Sequence, residues 1–178
     1  MRKLMCFLPA FFCFFYSDAQ LLSWTPQFSA DNSTITFTVD ATKGNQGLLG
    51  HTGTVYMHLG VITNLSTSQT NWRYVATSWG TTTAPQAAPA GTNKWTFTIT
   101  NPRAYFNSAS GGVPAGETIL RVACLFRDAT GAKVQKNSDG TDTYIPVYAA
   151  GSNNIQFTQP FILPLYNVDN EPVTAIVG

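Results

Sequence analysis

Two histidines, three cysteines, four tryptophans and nine acidic side chains carry whatever chemistry this 178-residue sequence offers. A glycan hydrolase would need two carboxyls facing each other across a cleft, one with a raised pKa. Asp31, Asp40, Glu117, Asp128, Asp139, Asp142, Asp169 and Glu171 fall mostly in turn-like stretches, where Asp bonds its own backbone. None stands in an aromatic run that would hold its proton at neutral pH. A nucleophile would need a base beside it. His51 lies in a Gly-rich stretch and His58 in a β-rich one, and neither has a serine in an elbow motif nearby. His58 reads as a strand histidine with a hydrogen-bonded neighbour. Cys124, inside the apolar run Leu120 to Phe126, reads as a small buried side chain. These residues argue against an enzyme. The stretch Asn137 to Asp142, NSDGTD, has the look of a calcium loop but lacks the downstream glutamate and the spacing. A polar hairpin turn fits it better; a structural calcium ion is the alternative, and no other cofactor is expected.

Aromatic side chains are the stronger candidates. Sugar rings have apolar CH faces that stack on Trp and Tyr, whose rings combine an apolar body with a polar handle. Asn, Gln, Arg and Asp can then bind the sugar hydroxyls. Trp72, Tyr74 and Trp79, with Tyr56 and His58 across a sheet, would supply such a platform, and Arg73, Asn71 and Gln69 its polar groups. The competing reading is a sandwich core, which also needs large rings. Trp95 is assigned to the core. For Trp72 and Trp79 both roles fit, since on strand alternation they point to opposite faces.

The element that must position these rings is Thr54 to Thr63, TVYMHLGVIT. Val55, Met57, Leu59 and Val61 alternate with Tyr56, His58, Gly60 and Ile62, the period of a half-buried strand. The odd set is expected to face the core. Around it, Leu21 to Phe28 reads as an irregular edge strand broken by Pro26. Thr34 to Asp40, Trp72 to Trp79, Lys94 to Thr100, Thr118 to Arg127 and Thr143 to Tyr148 complete a set of about seven strands. Leu48 and Leu49 are expected to tuck inward from a Gly-rich loop, and Gly80 to Asn93 to form an exposed, mobile connection. Asn101-Pro102 predicts a short helical turn with Asn101 as its N-cap. Pro114 to Glu117 predicts a tight turn. Strand spacing with almost no helix predicts an all-β, immunoglobulin-like antiparallel β-sandwich.

The ends of the chain carry separate signals. Arg2 and Lys3, the apolar run Leu4 to Tyr16 and the small residues of Ser17-Asp18-Ala19 form a signal peptide, too short in its apolar part for a membrane span. Cleavage after Ala19 gives a secreted or cell-surface protein. It removes two of the ten basic and one of the nine acidic residues, leaving eight of each. A neutral chain with no basic stripe argues against nucleic acid as a partner. Cys6 and Cys13 leave with the leader, so Cys124 has no intrachain partner. The domain reading is a leader over 1–19, the sandwich over 20–148, and a linker with the start of a second β-domain over 149–178. On that reading the chain is the N-terminal piece of a longer protein.

The order of blocks KGNQGLLG (Lys43 to Gly50), VYMHLGVITN (Val55 to Asn64), NWRYV (Asn71 to Val75), Trp79, NPRAYF (Asn101 to Phe106), VPAGE (Val113 to Glu117), RVACLFRDATG (Arg121 to Gly131) and DGTDTYIPVY (Asp139 to Tyr148) resembles a known module. It is the N-terminal immunoglobulin-like module of secreted bacterial alpha-amylase family glycoside hydrolases, related to modules of starch-utilisation surface proteins. The likeness spans about Trp24 to Tyr148. The Ala/Pro/Thr-rich Gly80 to Asn93 loop and a cysteine at position 124 depart from it. The resemblance implies an extracellular sandwich serving starch or maltodextrin use, with any catalysis in a barrel beyond this chain, and it carries over no fixed sugar-binding residues. Its implied partners are a polysaccharide, or a catalytic or neighbouring domain of the same longer chain. Three functions follow: a carbohydrate-binding module, a spacer or docking domain, and, as the alternative to both, a stand-alone adhesin or surface assembly subunit.

Overall fold

A computed structural model of the chain describes residues 20–151 and the backbone of two short strands at 155–157 and 175–177. The leader read over 1–19 and most of the segment read over 149–178 lie outside the described residues. The strands are β1 (Leu22–Thr25), β2 (Thr34–Asp40), β3 (Val55–Thr63), β4 (Gln86–Pro89), β5 (Lys94–Thr100), β6 (Ile119–Arg127), β7 (Val134–Gln135) and β8 (Thr143–Pro146). Ile155–Phe157 (β9) and Ala175–Val177 (β10) pair antiparallel with each other.

The fold is the expected immunoglobulin-like sandwich. One layer is β1-β2-β5, paired antiparallel throughout. The other is β3-β6, and β6 pairs with β8 along Arg121 to Cys124 and with β7 at Phe126 and Arg127. This partition, first, second and fifth strands against third, sixth and eighth, follows the immunoglobulin plan. β4 joins the layers: Gln86 and Ala87 pair with β3, and Ala88 and Pro89 with β5. Gly80 to Asn93 is therefore not merely a mobile connection. Its Ala84 and Ala87 are buried, because a strand that changes sheets needs small side chains where the layers meet.

Alternation decides which side chains fill the interior. Ile35, Phe37 and Val39 of β2, Trp95 and Ile99 of β5, and Val55, Met57, Leu59 and Val61 of β3 are all buried, as are Val122, Cys124 and Phe126 of β6. Phe37 meets Phe126 edge-on across the layers at 6.0 Å between ring centroids. Each aliphatic side chain buried this way contributes about 1.5–3 kcal/mol. Burial pushes the Cys124 thiol up to about 12, the inert thiol that its apolar setting predicted. Asn101 caps the helix α1 (Pro102–Tyr105), its side chain accepting from the Ala104 amide. The Pro114 to Glu117 turn is closed by the Glu117 amide on the Pro114 carbonyl.

Two further expectations need correction. Leu48 is buried but Leu49 is 48% exposed. Gln135 Oε1 accepts from the Leu48 amide, which fixes one leucine inward and turns its neighbour out. Trp72 to Trp79 is not a strand: apart from the single bridge of Arg73 with Val61 it is a loop.

Candidate functional site

β3 places its even-numbered side chains on the outer face of the β3-β6-β8 layer. Register sets Tyr56 opposite Arg127, His58 opposite Leu125 and Gly60 opposite Ala123, while Ala123 lies opposite Tyr144 on β8. The 64–83 segment then lies along the free edge of β3 as a strap. Arg73 exchanges both backbone bonds with Val61, and the Ala76 amide bonds the Leu59 carbonyl. Between these contacts Tyr74 takes φ +51°, a left-handed conformation that breaks strand alternation.

That break separates the predicted site residues into two groups. Trp72 lies over Gly60, where an added Cβ would meet its indole Cε3 at 3.2 Å. Glycine in mid-strand lets the ring rest on the sheet. The Trp72 ring stacks on His58 at 5.4 Å and 27°, and Trp79 meets the other side of the site with its ring edge-to-face against His58 at 4.9 Å and 87°. Trp72 and Trp79 thus meet on one imidazole instead of pointing to opposite faces. Tyr144, which sequence reasoning did not single out, closes the row: Trp72 Nε1 donates to its hydroxyl at 3.4 Å, and that hydroxyl donates to the Gln69 carbonyl at 2.7 Å. Only the β6–β8 register reveals that Tyr144 belongs here.

Arg73 and Tyr74 go elsewhere. They close on Glu117, whose buried carboxylate accepts from Thr63 Oγ1 (2.5 Å), Arg73 Nε (2.5 Å) and Tyr74 Oη (2.6 Å). Burial pushes this carboxyl up, but the Thr63, Tyr74 and Arg73 donors outweigh it and hold it below its ordinary value. Glu117 is therefore an anchor for the strap, and Arg73 and Tyr74 are the strap's fasteners. Tyr56 is buried beneath Arg127 and offers no open ring. The platform reduces to Trp72, His58, Trp79 and Tyr144.

Beside it opens a shallow groove of about 380 Å³ lined by His58, Thr70, Asn71, Trp72, Val75, Trp79 and Leu125, with Lys136 and Asp142 at its side. Lys136 Nζ and Asp142 Oδ1 pair at 3.0 Å. Trp79 is 45% exposed. His58 Nδ1 is buried with no hydrogen-bond partner, so the expected bonded neighbour is replaced by two indoles. Burial, and then the charge of Arg127, hold its pKa below the ordinary value, with Asp142 opposing. The imidazole is accordingly neutral at pH 7. The site therefore presents an open indole, a second ring close by and a paired cation and carboxylate. The NSDGTD stretch folds as a turn, Asp139 Oδ1 accepting from the Thr141 amide and hydroxyl. Among the described residues no group of three or more His, Cys, Asp or Glu side chains gathers to hold a metal, and no helix is long and apolar enough to cross a membrane. Compared with protein-family models and with curated proteins, the chain matches neither.

Proposed function

We propose that this chain is a non-catalytic β-sandwich module that binds neutral glycans on the Trp72–His58–Trp79 platform. The observation that carries this reading is Trp79, a large apolar ring held 45% exposed at the rim of a groove. Burying the rest of the ring would be favoured by the hydrophobic effect, so an exposed indole fixed among other rings is suited to a ligand. The resemblance drawn from the sequence makes starch or maltodextrin the glycan and an attached alpha-amylase domain the partner, in a secreted or cell-surface protein. Binding would then supply effective concentration: tethering raises apparent affinity by about 10²–10⁴ when both contacts can form. Electrophoresis of the native protein through gels containing soluble starch, with a β-glucan gel as control, tests the reading. Retardation by starch that disappears in Trp79→Ala supports it; equal migration in every gel removes it.

A docking or spacer role is the second reading. It is favoured by Leu65 and Leu120, 54% and 45% exposed, on neighbouring segments joined by the two Asn64–Thr118 hydrogen bonds. Replacing both leucines by serine would leave starch retardation intact and weaken association with an adjacent domain.

A further inference from the structure

Arg127 is the largest fully buried side chain among the described residues, and no carboxylate pairs with its guanidinium. Nη1 donates to the carbonyls of Asp128 (2.8 Å) and Ala129 (3.2 Å), and Nη2 to the carbonyl of Thr81 (2.7 Å). Nε has no partner. The guanidinium carbon stands 5.6 Å from the ring centroids of both Tyr56 and Trp79. A buried cation with no carboxylate in direct contact is costly and persists where its other contacts compensate; the charge of Asp128 next in the chain supplies part of that compensation. Here the planar fork ties the turn after β6 to the chain just past Trp79, while its face meets the indole, a combination that suits arginine and not lysine. The same turn presses on Trp79 from a second point. Gly131 has φ +77°, and a Cβ there would lie 2.5 Å from Trp79 Nε1.

We propose that Arg127 and Gly131 form the seat that fixes Trp79 as a glycan platform, so that a turn outside the groove lining sets its affinity. Arg127 is a positioning residue: it acts through Trp79, not through the sugar. The proposal rests on the glycan-binding reading for its consequence, while the seat itself is independent of any ligand. Without the fork the 78–81 segment loses its link to the β6 turn, and the indole loses both its cation and its fixed angle to His58.

The test follows the indole Nε1–H cross-peaks by NMR in the wild type, Arg127→Lys and Gly131→Ala, with Trp79→Phe assigning the Trp79 peak. Maltoheptaose affinity is measured on the same samples. We expect both variants to displace the Trp79 peak, to leave that of core Trp95 in place, and to weaken binding roughly tenfold, as loss of a pre-arranged aromatic anchor does. A Trp79 peak unchanged in both variants overturns the seat. A displaced peak with unchanged affinity overturns Arg127 as a determinant of binding. If the wild type binds no oligosaccharide, the glycan reading fails by itself and the Trp79 peak still decides the seat. Should Arg127→Lys not fold, Gly131→Ala decides it, because that variant keeps the guanidinium and its carbonyl partners.

Discussion

Glu117 shows how much one side chain can govern. Its carboxylate collects the Thr63 hydroxyl, the Arg73 guanidinium and the Tyr74 hydroxyl, and so holds the strap that carries Trp72. Glu117→Gln keeps the shape and removes the charge; we expect a loss of about 2 kcal/mol in urea unfolding, the scale of hydrogen bonds to a buried charge. The pH dependence has a fixed sign. A folded pKa below the ordinary 4.5 means that the unfolded chain takes up the proton first. The stabilisation is complete above the unfolded value and is lost as pH falls through the folded one. Asp40, held at about 2 chiefly by the Thr42 hydroxyl against an ordinary 3.8, extends the acid loss further down. Wild-type stability should fall as the pH drops below about 4.5, and Glu117→Gln should flatten the upper part of that fall. An unchanged acid profile in the variant would contradict the anchoring role.

The strap is the element on which sequence and structure part. Its residues alternate as a strand would, and Arg73 does bridge Val61. Tyr74 at φ +51° then ends the alternation, and no residue type announced it, since glycine or asparagine is the usual occupant of that region. His58, Trp72 and Trp79 were legible as a group because β3 alternates cleanly and the tryptophans follow it, whereas Tyr56, grouped with them on the same alternation, is buried beneath Arg127. Their division from Arg73 and Tyr74 was not, because it depends on Glu117, more than forty positions away in the chain. Arg127 was hidden for a similar reason: it reads as the polar end of a strand, and it is buried by the turn after β6 together with Thr81, Tyr56 and Trp79, which lie far from it in the chain. β4 was missed because QAAP lacks the β-branched and aromatic residues that mark strands. At this scale Gly60 gives the sharpest prediction. Gly60→Val places atoms where Trp72 and the Arg73 carbonyl now lie, 3.2 Å from an added Cβ. It should lift the strap, cost about 1–3 kcal/mol of stability as overpacking does, and alter the Trp72 fluorescence. A variant as stable as wild type with an unmoved Trp72 would show that the strap does not rest on β3.

For the whole molecule, the two layers share one core, and Cys124 sits in it with its thiol pushed up to about 12. A thiol reagent should label Cys124, as mapped by peptide mass, only as fast as the sandwich unfolds. The labelling rate in rising urea should follow global stability; rapid labelling in native buffer would contradict a closed core. The same rigid scaffold keeps the outer face of the β3-β6-β8 layer in one arrangement, with Trp72 and Trp79 meeting on His58 beside the Lys136–Asp142 pair. Whether that face takes up sugar is tested most directly by titrating the protein with maltoheptaose while following tryptophan emission. A glycan platform gives a saturable change at or below roughly millimolar sugar, the weak range expected of a shallow site, and its loss in a folded Trp79→Ala variant. An emission spectrum that stays flat to that concentration, or a change that survives in Trp79→Ala, would contradict it.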